Sequence, residues 1–152
     1  MYMLRTRGGK RDPMKQWGLP ERVFFACGAC HILSYTFLRA YPDSGFAPIW
    51  IRPANGHTGN HIVLVRDHLA FDYHGYSNWP RLFAHMRRRA NQWSPGWDAT
   101  LIDLPEDVLV SESKSRLYDG LWLKEPKQFL FDAMPRAQAY LRRFPAPERA
   151  LQ

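Results

Sequence analysis

Both cysteines of the chain, Cys27 and Cys30, fall within four positions of the run FFACGACHILSYTFL (24–38), and His31 follows at once. That string is compatible with three chemistries. C-x-x-C-H is the attachment pattern of c-type haem, and C-x-x-C is half of a zinc site. A lone reactive thiol at the start of a helix is a nucleophile, provided that a base lies near it in space. The haem pattern also needs an exported chain and an axial ligand. The basic N-terminus MYMLRTRGGKRDPMKQWG has no apolar core of signal-peptide length, so haem is set aside and no cofactor is expected. For zinc, Cys27, Cys30, His57 and His61 form C-x2-C…H-x3-H with ligand types that suit a tetrahedral ion. Against it, His57 sits in the loop-like NGHTGNH, and the interval from Cys30 holds an expected helix and strand. Zinc in a structural or interaction module is kept as the alternative.

The base is sought in HIVLVRDHLAFDY (61–73), which reads as a β-hairpin. With Arg66-Asp67 as a two-residue turn, Val65 faces His68, Leu64 faces Leu69, Val63 faces Ala70, and Ile62 faces Phe71. His61 then faces Asp72. Directly opposed residues have Cβ atoms about 4.5–5.5 Å apart, so a carboxylate there reaches an imidazole, fixes its tautomer and stabilises its charged form. Ile62, Leu64, Leu69, Phe71 and Tyr73 fall on the other face, which suits a core, and the polar pair is expected on the solvated side.

Other elements must hold these groups in place. From Ala29 to about Ala40 there is no Pro or Gly, and Ile32, Leu33, Thr36 and Phe37 recur at helical spacing, so a helix follows the cysteines until YPDSG stops it. PIWIRP (48–53) and TLIDL (100–104) read as strands. Trp79, Leu82, Phe83, Met86, Ala90 and Trp93 form one apolar stripe, with Arg81, Arg87, Arg88 and Arg89 largely off it, as in an amphipathic helix. Residues 111–122 read as loop. A last helical region spans about 126–144, with Pro135 as a first-turn proline. The expected organisation is a loose basic arm over 1–20, one α+β domain over 21–145 and a tail over 146–152.

With 45% hydrophobic and 14% aromatic residues among 152, the chain can bury an ordinary single-domain core. No stretch approaches the roughly 18 apolar residues of a membrane span, and two cysteines make no disulfide framework. A reducing, cytoplasmic compartment is expected. The net charge of +7 favours an acidic partner or substrate. The basic residues are not interleaved with free aromatics, so nucleic acid is not the expected partner.

C-G-A-C leading into a helix, then a strand opening with His61, then Asp72 on the next strand, resembles the papain-like and transglutaminase-like cysteine enzymes. The resemblance covers about 24–76. It implies a helix bearing the cysteine at its N-terminus, packed on an antiparallel sheet, with C-terminal helices outside that core. It implies a thioester intermediate on an amide or ester substrate. Cys30 matches the nucleophile, His61 the general base and Asp72 the orienting carboxylate. The Cys30 backbone N–H matches one oxyanion donor. Cys27 ranks second as nucleophile, because it precedes Gly28 and so lies outside the helix. His31 stands where papain-like peptidases carry an aromatic residue, and Phe24 where they carry an oxyanion-hole glutamine, six residues before the nucleophile. Asn60 or Asn55 is the expected replacement donor.

Overall fold

The computed structural model describes residues 12–150 as one α+β arrangement around a five-stranded antiparallel sheet. Short helices α1 (Pro13–Trp17) and α2 (Glu21–Ala26) lead into α3 (Cys30–Ala40). The strands are β1 (Ala47–Pro53), β2 (His61–Arg66), β3 (Leu69–Asp72), β4 (Gly75–Asn78) and β5 (Ala99–Asp103), in the spatial order β4-β3-β2-β1-β5. Helix α4 (Trp79–Trp93) links β4 to β5. After β5 come α5 (Glu112–Ser115), α6 (Ala133–Leu141) and α7 (Pro147–Ala150). No helix among the described residues is long and apolar enough to cross a membrane.

Each face of the sheet carries its own core. On one face α3 packs Ile32, Leu33 and Phe37 against Trp50, Ile62, Leu64 and Phe71. Phe37 and Phe71 are tilted rings with centroids 4.6 Å apart. On the other face Ile51, Val63 and Ala70 meet Met86 and Ala90 of α4 together with Trp97. The second face is therefore closed, not solvated as the alternation of the hairpin alone suggested. His61 and Asp72, which alternation assigns to it, are only 5% and 4% exposed.

The hairpin turn lies one residue later than expected, at Asp67-His68, with Asp67 in the left-handed region at φ 53°. The register becomes Leu64↔Phe71, Val65↔Ala70 and Arg66↔Leu69. Moving a turn by one residue shifts the register by two, so every side chain keeps its face. Asp72 now lies two residues from the position that this register sets opposite His61, and the two are diagonal neighbours.

Three other expectations change. Of the arm expected over 1–20, residues 1–11 lie outside the described residues, but 12–20 is ordered structure. Asp12 Oδ1 caps α1 by accepting from the Met14 N–H at 2.9 Å, and Gln16 is 3% exposed. Within 146–150, α7 buries Pro147, so that part of the tail is packed, while 151–152 are outside the description. Trp93, placed on the apolar stripe, is 53% exposed because α4 ends there and Ser94 turns the chain away.

Candidate active site

The first residue of β2 is His61 and the last of β3 is Asp72, so antiparallel pairing brings both to one end of the sheet. There His61 Nε2 lies 3.1 Å from Asp72 Oδ2. The other carboxylate oxygen, Oδ1, accepts the His74 backbone N–H at 2.9 Å. Both oxygens of Asp72 are thus engaged, and the imidazole is fixed with Nε2 toward the acid. That leaves Nδ1 as the free ring nitrogen, and Cys30 is close enough to this ring to shift its titration.

Cys30 opens α3, as the sequence predicts, and is half-buried, whereas Cys27 is buried at the end of α2. Helices α1, α4 and α6 are each capped by a side chain, from Asp12, Asn78 and Asp132. Helix α3 is not, and its N-cap is Ala29. Ala29 O takes the Ile32 and Leu33 N–H groups, so the N–H groups of Cys30 and His31 have no helical acceptor. A bare helix N-terminus carries partial positive charge beside the thiol.

The sequence gives no signal for one further group at this place. Gln16 of α1 brings its Nε2 against Gly28: a Cβ built on Gly28 would stand 2.7 Å from that nitrogen. Gly28 has φ +144°, so glycine is required there both for the backbone and for the approach of the amide. Gln16 Oε1 accepts from Lys124 Nζ at 3.3 Å, which fixes the carboxamide with its NH2 toward Gly28. Asn60, the donor expected from sequence, instead accepts the Trp50 indole N–H on Oδ1 at 2.9 Å. Its role there is to tie the start of β2 to β1. Asn55 is exposed in the loop before β2.

The zinc set is not assembled. His57 Nδ1 is 2.6 Å from Ser94 Oγ at the end of α4. Among the described residues no group of three or more His, Cys, Asp or Glu is placed to hold a metal ion.

The electrostatics follow from these contacts. Burial favours the neutral Cys30 thiol, but hydrogen bonds from His31 and His61, with their charge, hold its pKa well below that of an ordinary thiol. Burial likewise opposes charge on His61, but the hydrogen bonds to Asp72 and Cys30, and then their negative charges, carry its pKa up to about 10. Both directions favour a thiolate–imidazolium pair at Cys30 and His61.

This pair leaves a mark on stability. The folded pKa of His61 is raised, so its contribution is complete below about pH 6.5, the unfolded value, and is lost as pH rises toward about 10. The folded pKa of Cys30 is lowered, so its contribution is complete above about pH 8.5 and is lost as pH falls through the folded value. Between about 6.5 and 8.5 the folded pair and the unfolded pair each hold one proton, and the summed contribution is flat. In Cys30→Ser the His61 part stands alone and falls from about pH 6.5 upward. The stability gap between wild type and Cys30→Ser will therefore widen with pH by up to about 1.4 kcal/mol per unit over that window, as read from urea midpoints. A gap that ignores pH would mean a neutral thiol.

Set against known proteins, the chain matches no family model, no curated protein and no solved structure.

Proposed function

We propose that this chain is a cysteine hydrolase or acyltransferase of the papain-like and transglutaminase-like kind, acting on an amide or ester through a thioester on Cys30. The observation that carries the reading is the buried His61–Asp72 pair, together with a half-buried cysteine at an uncapped helix N-terminus whose ionisation is coupled to that pair. Chain order Cys, His, Asp and the antiparallel placement of the last two agree with that superfamily.

The chemistry follows from the groups. The Cys30 thiolate attacks the carbonyl carbon, and the carbonyl π electrons move to oxygen. The resulting oxyanion is stabilised by the Cys30 N–H at the helix N-terminus, with the Gln16 NH2 as the proposed second donor. His61 gives its Nδ1 proton to the departing nitrogen or oxygen as the C–N or C–O bond breaks. A water or amine then attacks the thioester, losing its proton to His61, and the thiolate leaves. Asp72 keeps the Nε2–H oriented throughout and remains a carboxylate. With a net charge of +7, the favoured substrate is a peptide or protein segment of acidic character.

The test is covalent. Treated with p-nitrophenyl acetate and acid-quenched, the protein will show a burst of one nitrophenolate per chain, with the acetyl group on Cys30 by fragment mass spectrometry. Acetylation confined to Cys27, or no acyl-enzyme under a measurable burst, would remove Cys30 from the nucleophile's role.

A further inference from the structure

Helix α4 covers the face of the sheet opposite α3, and its outer side is exposed. Met86 and Ala90 are buried with Ile51, Val63 and Ala70, and Leu82 and Phe83 pack beside them. Arg81, His85, Arg88 and Gln92 recur at intervals of four, three and four, which sets them in one row on the far side of the helix, and all four are exposed. Arg89 flanks this row. The row runs roughly 16 Å along the helix, at about 1.5 Å per residue. Nothing in the helix balances its charge: Trp79–Trp93 contains four arginines and no Asp or Glu. Arg81, Arg88 and Arg89 make no ion pair among the described residues.

This placement does not stabilise the helix. Arg81 stands in the first turn, where a cation opposes the helix dipole, and the last turn, where cations are favoured, has none. Acidic groups bound the row without entering it. On one flank Asp98 Oδ1 holds Arg87 Nη2 at 3.0 Å, and that guanidinium lies over the Phe83 ring, 4.8 Å from its centroid. At the head of the helix the Trp79 N–H donates to His68 O at 2.7 Å, next to the exposed Asp67 of the hairpin turn. The cationic surface is therefore a line one helix wide, not a plane. Trp93, expected on the apolar stripe, is instead 53% exposed. It lies four residues beyond Arg89, so the two are neighbours on the helix surface. An exposed indole thus stands among the basic groups, the feature whose lack set nucleic acid aside.

We propose that the outer face of α4 binds a single-stranded nucleic acid, its arginines holding phosphates along the strand and Trp93 stacking on an unpaired base. Each part of the surface selects for this partner. Guanidiniums in place of ammoniums match the planar, bidentate geometry of phosphate. A line of charge tracks the backbone of one strand, whereas an anionic lipid surface engages a plane of charge. An exposed indole offers its face to a base that has no partner, which a duplex does not present. The face lies across the sheet from α3, which carries Cys30, so neither reading depends on the other.

The experiment is fluorescence anisotropy of labelled oligo-dT and oligo-U, titrated with wild type, with the Arg81→Gln, Arg88→Gln, Arg89→Gln triple variant and with Trp93→Ala. Each phosphate contact on a single strand contributes about 0.7 to the slope of log affinity against log salt. Wild-type affinity should therefore fall about 20-fold between about 50 and about 200 mM salt, and the triple variant should lose about 2 from the slope. Trp93→Ala should weaken binding at least about fivefold with the slope unchanged, and Trp93→Phe should restore most of it. Binding of either strand sustains the proposal, and the tighter of the two names the sugar that the face prefers. Ester turnover and Tm of the triple variant should match wild type, because the row touches neither the triad nor the core. Should that variant not fold, Arg88→Gln alone should lose about 0.7 from the slope. No oligonucleotide binding at about 50 mM salt, or an unchanged slope in the folded arginine variants, overturns the proposal. So does arginine-dependent sedimentation with phosphatidylserine vesicles without oligonucleotide binding, which would make the face a lipid contact. Failure of Cys30 to take an acyl group would leave every one of these results standing.

Discussion

Asp72→Asn will lower acyl transfer almost as far as His61→Ala, although the first exchanges one oxygen for an NH2 and the second deletes a ring. His61→Ala removes the proton donor for the leaving group and the base for the second step, which general acid–base catalysis values at about 10²–10⁴-fold. Asn at position 72 reaches a similar loss through the tautomer. Asp72 accepts on both oxygens, from the His74 N–H at 2.9 Å and from His61 Nε2 at 3.1 Å. An asparagine has one acceptor for these two donors. If its oxygen serves His74, its NH2 faces Nε2, and the neutral imidazole must carry its hydrogen on Nδ1, toward Cys30, where it can no longer accept a proton. If its oxygen serves His61, an NH2 is driven against the His74 N–H, and the hydrogen bond that orients the side chain from that side is lost. We therefore expect both variants at least about 100-fold below wild type in kcat/KM on the nitrophenyl ester. The deficit in Asp72→Asn should persist at every pH at which the protein stays folded. An Asn variant within tenfold of wild type would make the carboxylate a packing feature and leave His61 to act unassisted.

The parts of this site legible in the sequence are those set by local periodicity. The run from Ala29 to Ala40 predicted α3 with Cys30 at its head, and the alternating 61–73 segment predicted the pairing that brings His61 and Asp72 together. The misplaced turn did no harm, because a two-residue change of register preserves the face, and a long diagonal pair still meets. What was hidden depends on contacts distant in sequence. Gln16 sits in a five-residue helix whose sequence PMKQW gives no hint of a site, and its amide is placed only because Gly28 and Lys124 close on it. The short strand β4, GYSN, carries neither β-branched residues nor alternation, and it pairs because Leu69–Asp72 offers it a free edge. Burial of the second face depended on α4 folding back over Val63 and Ala70, which the hairpin's own pattern could not report. His31 was visible as a residue, but its direction is set by a carbonyl 93 positions away.

The same dependence on remote contacts makes Arg136 the residue whose loss should most damage stability. Its Nε and Nη2 both donate to Glu21 Oε1, its Nη1 donates to Trp17 O at 2.7 Å, and its Nη2 also donates to Leu19 O at 2.8 Å. Its guanidinium carbon stands 3.9 Å from the Phe24 ring centroid and 4.7 Å from that of Trp17. The side chain is 13% exposed and its carboxylate partner 29%, so water replaces little of this. One fork on α6 thus closes the connection between α1 and α2, and α1 carries Gln16. Arg136→Ala strands two carbonyls and a carboxylate and opens the gap over Phe24. Breaking a buried, hydrogen-bonded ion pair from one side costs about 3–5 kcal/mol, which in a chain of this size lowers Tm by roughly 10 °C. Arg136→Lys keeps the charge but not the fork, and should fall between the two. Because α1 is released as well, the Ala variant will lose ester turnover at temperatures where it remains folded, through misplacement of the Gln16 donor. If Arg136→Ala melts within about 2 °C of wild type, the fork does not hold α1. The position of Gln16 over Gly28 would then have to come from the Lys124 contact alone.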